Sequence, residues 1–334
     1  MGEMTLNIHD VTSIRDAVGK YITNMGDLHK EMVVVTADVA ISSRVNGFVE
    51  KHPDRFYNVG IAEQNLVSFS AGLANEGFVP YVFTFAPFAS MRACEQVRTD
   101  VCYPNLPVRI IGNGAGYSNG ISGATHCALE DTAIMSSFAN MTVIEPGDPF
   151  LAAKILEATI EWDGPIYIRM GREATTALYP DDTKYEIGKA LIPCDGNDGA
   201  FITSGIITHH AVEAAKRIHE ETGANIKVVD MHTIKPLDRE AVISAARTGR
   251  VVCAQDHNII NGLGYAVGTV IAEAGIQCKY KVLGCPDKFV PIATPDFLYQ
   301  KNELDVDGLI KNMRAFLTNT FYLNPVKAEN GVRI

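Results

Sequence analysis

Short β-branched runs that stop abruptly at a polar residue constrain this chain most. "MVVVTAD" (32–38) is one such run, and "PVRIIGNG" (107–114), "MTVIEPG" (141–147) and "GPIYIRMG" (164–171) repeat its form. A near-continuous apolar run of this length suits a strand covered on both faces, as in a parallel sheet. Helical spacing fills the intervals over 12–29, 62–76, 87–100, 130–139 and 149–161. Strands alternating with helices predict a doubly wound α/β fold with a mostly parallel sheet and ligands at the carboxyl ends of the strands.

After Arg172 the texture changes. "EATTALYPDDTKYEIGKALIPCDGNDG" is polar and carries Pro and Gly, which reads as a linker with an irregular hairpin. A second alternating set follows: "AFITSG", a helix over about 209–222, "NIKVVDMHTIKPLD", a helix over about 238–247, "RVVCAQDH", and a helix over about 262–275. At 334 residues two domains are the natural expectation. The reading places them at 1–180 and 196–334, with a linker over 181–195 and the second domain a smaller α/β unit.

Composition narrows the function. A formal net charge of -10 argues against nucleic acid as a partner, because such a binder needs a basic face. No unbroken apolar run approaches the roughly 20 residues of a membrane span. The start "MGEMTLNIHD" has neither the basic region nor the apolar core of a secretory signal. Seven scattered cysteines without a CxxC pair suit reduced thiols, so a cytoplasmic protein without disulfides or a structural zinc is expected.

Four clusters could carry chemistry. Asp38, Ser42 and Glu63 lie near the ends of the early strands. Glu63 opens a segment, Leu66 to Asn75, with no ionisable side chain, as suits a helix packed on most of its sides. Its carboxylate either serves the helix dipole or faces a ligand. Phe83, Phe85 and Phe88 are either core residues or a flat apolar wall for an aromatic ring. Five glycines in 112–123 precede Thr125 and His126, where backbone can approach a ligand closely. Arg169 and Arg172, with Arg15 early in the first helix, could hold an anionic group through bidentate contacts or form surface ion pairs.

Taken in order, "GIAEQN", "FTFAPFASMRACEQVR", "GATHCALED", "DGPIYIRMGRE" and "VVDMHTIKPLD…VVCAQDHNIINGLGYAV" resemble the C-terminal half of transketolase over roughly residues 8 to 318. The chain looks like the separate subunit of a split transketolase, holding the pyrimidine-binding domain and the transketolase C-terminal domain. The resemblance implies a thiamine diphosphate-dependent transferase of two-carbon ketol units. It also implies a cofactor shared with a partner, an N-terminal diphosphate-binding subunit carrying Mg²⁺ (or Ca²⁺), in an α2β2 assembly. The GDG motif of that missing domain has no counterpart here; "CDGNDG" does not follow a strand. Glu63 matches the glutamate that shares a proton with N1′ of the cofactor's aminopyrimidine, which requires a carboxyl kept partly desolvated. Phe88 matches the aromatic stacked on that ring, with Phe85 beside it. Asp38 and His126 match residues lining the thiazolium and substrate channel, His126 as the proton shuttle. Arg15, Ser42 and Arg172 match the trio that holds a sugar phosphate.

Some positions depart from the family. Ser122 stands where an acidic residue is usual ahead of "GPTH", a position that reads the donor's hydroxyl configuration. Cys127 replaces a His common in related split subunits, Met91 stands where an aromatic is expected, and a His expected after "RIIG" falls in "NGAG". An intact anion trio beside an altered sugar-reading loop suggests an anionic and unusual sugar. His257 reads as structural. The alternatives are a 2-oxoacid dehydrogenase beta-type subunit, a 1-deoxyxylulose phosphate synthase-like condensing enzyme, and a non-catalytic half that only stabilises a partner.

Overall fold

The computed structural model describes residues 10–318. Its first half opens with β1 (Thr12–Ser13), α1 (Ile14–Leu28), β2 (Met32–Thr36), α2 (Asn46–Lys51), β3 (Phe56–Asn58) and α3 (Glu63–Asn75). β4 (Val79–Phe85), a helix α4 over 88–102, β5 (Arg109–Asn113) and α5 (Asp131–Ser137) follow. β6 (Thr142–Ile144), α6 (Pro149–Thr159), β7 (Ile166–Met170) and β8 (Ala174–Thr175) complete it. The second half runs β9 (Leu191–Cys194), β10 (Gly199–Thr203), α7 (Ile207–Thr222), β11 (Ile226–Asp230), β12 (Thr233–Lys235) and α8 (Arg239–Ala246). It ends with β13 (Arg250–Asn258), α9 (Leu263–Glu273), β14 (Lys279–Cys285), α10 (Pro295–Lys301) and α11 (Val306–Leu317).

The larger sheet has the order β12-β6-β7-β5-β4-β2-β3 and is parallel except for β12. The smaller has the order β14-β13-β10-β11-β9 and is parallel except for β9. The expected α/β class with mostly parallel sheets is therefore the observed one. All five residues of β2, β5 and β7 are buried, which is why these strands read as largely apolar runs, with Arg109 and Arg169 as buried charges within them. Helix starts follow local chemistry: Ser13 Oγ accepts from Asp16 N, and Asp148 accepts from Phe150 N and Leu151 N at 2.8 Å each ahead of Pro149.

Several elements differ from the sequence reading. The run "NIKVVDMHTIKPLD" divides: β11 stays in the smaller sheet, whereas β12 crosses to the larger one, where Thr233 pairs with Ile144. The linker holds no hairpin; β9 instead pairs antiparallel with β11. β4 escapes a pattern search because Pro80 lies near its start, and β3 because it has only three residues. The helix over 88–102 is π-helical at Phe88–Arg92 and Val97–Cys102, around a short α segment at Cys94–Gln96. α3 is not packed on most sides. Glu63, Leu66, Val67, Ser70, Ala71 and Ala74 are buried, whereas Gln64, Asn65, Ser68, Phe69, Gly72 and Asn75 form an exposed, uncharged face.

One apolar cluster joins the two halves. Val35, Val67, Val82, Ile110 and Val143 belong to the same buried group as Ile202, Val229, Val251 and Leu263. The seven cysteines are all free thiols. No helix among the described residues is long and apolar enough to cross a membrane.

Candidate active site

The carboxyl ends of β2, β4, β5 and β7 gather most of the candidate residues at one edge of the larger sheet. Glu63 begins α3, just after β3, and is 3% exposed. Ala62 makes no side-chain cap, so Glu63 is a first-turn acid whose carboxylate points into the protein. Its Oε2 accepts from Arg92 Nη1 at 2.9 Å. The same guanidinium lies over the Phe88 ring, 4.1 Å from Cζ to the centroid. One flat group thus fits between the Phe88 ring and the Glu63 carboxylate.

Phe88 lies three residues beyond the end of β4, at the start of the helix over 88–102. Phe85, the last residue of that strand, meets it edge-on at 6.0 Å, and the His126 ring packs edge-on against both, at 5.8 Å from Phe85 and 5.3 Å from Phe88. Phe83, two residues earlier on β4, is fully buried in the core, so the wall consists of Phe85 and Phe88. His126 Nδ1 lies 2.8 Å from Thr125 Oγ1, an interaction that orients the ring. Asp38 adopts φ 60° at the end of β2 and is held by Asn58, whose Oδ1 accepts from Asp38 N at 3.0 Å and whose Nδ2 donates to Asp38 Oδ1 at 2.9 Å.

A second group lies around the start of α1. Arg15 Nη1 donates to the Ser42 carbonyl at 2.9 Å, while its buried Nε has no partner. The Ser42 hydroxyl donates to Val39 O at 3.1 Å. Burial, then the neighbouring charges of Arg172 and Arg44, push the Arg15 pKa down. Converging cations with an unused buried donor fit an anionic group. Arg172 Nη1 donates to Asn119 Oδ1, and Asn119 Nδ2 donates to Gly114 O at 3.3 Å. Gly114 has φ 69°, and a Cβ there would stand 2.0 Å from Asn119 Nδ2. Asn119 thus occupies the space beside a position with no side chain. Ser122 is exposed at the end of this loop.

Arg169 leaves the anion-binding set. It is 1% exposed, and its donors are taken by Asp131, Glu145, the Ala128 carbonyl and the Asp256 carbonyl. Glu145 Oε2 also accepts from Ser204 Oγ at 2.7 Å and from Gln255 Nε2 at 2.9 Å, which ties the two halves together. Nearby, the Asp256 carboxyl accepts from Tyr117 N, and the Tyr299 hydroxyl lies 2.9 Å from Asp256 Oδ2 and 2.8 Å from Glu173 Oε1. Burial pushes the Asp256 pKa up to about 7, with Arg169 opposing and Glu173 adding to the shift. His257 is buried, with Nδ1 2.8 Å from Asn258 O and Nε2 accepting from Ala133 N.

The transketolase pyrimidine-binding domain model matches residues 10–176 and the transketolase C-terminal domain model residues 188–309. The chain belongs to the transketolase family. A subunit of 6-deoxy-6-sulfo-D-fructose transketolase from a Clostridium species is 32% identical over 89% of this chain and 92% of its own. A subunit of the apulose-4-phosphate transketolase from Phocaeicola vulgatus is 34% identical over 86% and 92% respectively. A solved split-gene transketolase, an inactive β4 tetramer, superposes with a TM-score of 0.84 at 37% identity, covering 92% of this chain and 98% of that one.

This transketolase chain therefore corresponds to the C-terminal subunit of a split enzyme, in a family that depends on thiamine diphosphate. Two residues of the site escaped sequence reading. Arg92 lies 29 positions from Glu63, and in sequence it is one basic residue of an amphipathic helix. Asn119 sits in a glycine-rich loop whose path no local pattern specifies. In the resemblance the missing histidine after "RIIG" marked that spot without saying what fills it.

Proposed function

We propose that this chain is the catalytic half-site of a ketol transferase, transferring a two-carbon ketol unit from an anionic ketose to an aldose phosphate. The observation that carries the reading is the buried Glu63 carboxylate beside the face of Phe88, with His126 on the same wall. Bound thiamine diphosphate supplies the carbon nucleophile for such a transfer. With the cofactor bound, the buried Glu63 carboxyl would hold a proton toward the aminopyrimidine ring, and Phe88 with Phe85 would supply the flat surface that orients it. Asp38 borders the channel. His126, with Nδ1 on Thr125, has Nε2 free to exchange a proton with a substrate oxygen. Arg15, Ser42 and Arg172 hold the phosphate or sulfonate at the far end of the sugar, and Ser122 faces the sugar's hydroxyls.

The chain works with an N-terminal subunit that holds the diphosphate and its Mg²⁺ (or Ca²⁺), in an α2β2 assembly inside the cell. The exposed, uncharged face of α3 at Glu63's doorstep supports a neighbour there. Relatives acting on apulose 4-phosphate and on a sulfonated fructose support an anionic, non-standard sugar.

The experiment is to purify the chain with and without a diphosphate-binding subunit and assay ketol transfer from phosphorylated and sulfonated ketoses, with pyruvate as a control donor. Transfer should require both chains and a ketose, and Glu63→Ala should abolish it. Full turnover by Glu63→Ala, or activity with pyruvate alone, would overturn the reading in favour of other chemistry.

A further inference from the structure

Arg92 takes part in none of the roles assigned above, yet its guanidinium lies at the centre of the site. The group is planar and delocalised, it covers the face of Phe88 at 4.1 Å, and it donates to Glu63 Oε2 at 2.9 Å. An aminopyrimidine ring needs the same face and the same carboxyl. Two flat groups cannot share one face of Phe88 and one carboxylate oxygen.

We propose that Arg92 competes with the aminopyrimidine ring of the cofactor for the place between Phe88 and Glu63, and swings out to admit it. This rests on the reading of Glu63 and Phe88 as cofactor contacts. The physics of the two partners is unequal. Glu63 is 3% exposed and begins a helix, so it has nowhere to go; the Arg92 side chain is 48% exposed on a long flexible stem. Arg92 also sits where the π-helical stretch Phe88–Arg92 ends at Ala93, a locally irregular segment of the helix. While in place, it neutralises a carboxylate that would otherwise be buried and unpaired. Its withdrawal frees the Glu63 carboxylate and the Phe88 face for the incoming ring. Arg92 thus makes the cofactor-free subunit tolerable and sets a threshold for loading.

The test compares wild type, Arg92→Ala, Arg92→Gln and Arg92→Lys, each assembled with the diphosphate-binding subunit. Calorimetry with thiamine diphosphate reads the dissociation constant, independently of turnover. Removal of the competitor should tighten binding, by roughly five- to tenfold for Arg92→Ala and Arg92→Gln. Arg92→Lys, charged but unable to stack, should fall between. In urea unfolding of the isolated full chain, Arg92→Gln and Glu63→Gln should be non-additive, because the ion pair exists there. Unchanged or weaker cofactor binding by both neutral variants would overturn the proposal and leave Arg92 a supporting contact. Failure of the wild-type pair to bind thiamine diphosphate would instead overturn the reading of the site itself, and the competition with it.

Discussion

Arg169, near the carboxyl end of β7, donates to the backbone carbonyl of Asp256, near the carboxyl end of β13, across 2.5 Å. One guanidinium thereby links the two sheets, with Asp131 and Glu145 as its counter-charges. Arg169→Met would remove the cation and leave two buried carboxylates without it. Breaking a buried pair in this way costs about 3–5 kcal/mol. Urea unfolding of the isolated chain should show a loss of that order, and one below about 1 kcal/mol would mean that the network relaxes freely.

Asp256 predicts a pH dependence with a definite sign. Its pKa rises from an ordinary 3.8 to about 7 in the folded chain, mainly through burial. The folded state therefore holds a proton that the unfolded state releases between those values. The stabilising contribution is full below the lower value and is lost as pH rises through about 7. Asp256→Asn has no such proton to lose. The stability of the variant relative to wild type should improve by about 1.4 kcal/mol per pH unit between about pH 5 and 6, and level off above about 7. Parallel curves would show that Asp256 ionises without penalty.

Gly116 lies at φ 60° beneath the same carboxyl, and a Cβ there would stand 2.0 Å from Asp256 Oδ2. Alanine meets both an unfavourable backbone region and a buried, hydrogen-bonded group that has little room to move. Gly116→Ala should destabilise the chain by about 1–3 kcal/mol, measured by its thermal midpoint.

Gly72 offers the opposite case. It lies on the exposed face of α3, and nothing stands within 4 Å of an added Cβ. Gly72→Ala should stabilise the isolated chain by about 0.5–1 kcal/mol. If α3 faces the partner subunit, the same methyl should weaken assembly, which sedimentation of the mixed subunits would detect.

Arg172 should act on binding. In the reconstituted pair, Arg172→Ala should raise KM for a phosphorylated or sulfonated ketose by roughly tenfold or more, with kcat little changed. Uncharged ketoses should be insensitive. A fall in kcat at unchanged KM would place Arg172 at the reacting carbons instead.

Much of this protein was legible because it depends on local order along the chain. Buried parallel strands must be apolar on both faces, so "MVVVTAD" and "GPIYIRMG" announce themselves, and alternation with helices then leaves few topologies. Glu63, Phe88 and His126 stand in the segments that follow β3, β4 and β5, where such a fold exposes functional groups, and the order of their motifs carries the family. Helix starts at Ser13 and Asp148 follow from cap chemistry within three residues.

Only the tertiary structure decided the rest, because it turns on which distant groups meet. Nothing near Arg169 distinguishes a substrate clamp from a buried ion-pair centre until Asp131, Glu145 and the Asp256 carbonyl surround it. Likewise "VVDMHTIK" reads as one element, and the register Thr233 to Ile144 sends its second part to the other sheet. Arg92 reaches Glu63 only because α4 packs beside α3. Sequence by itself determined the class of fold and the family. Long-range packing determined which charges are spent holding the fold and which remain available for a ligand.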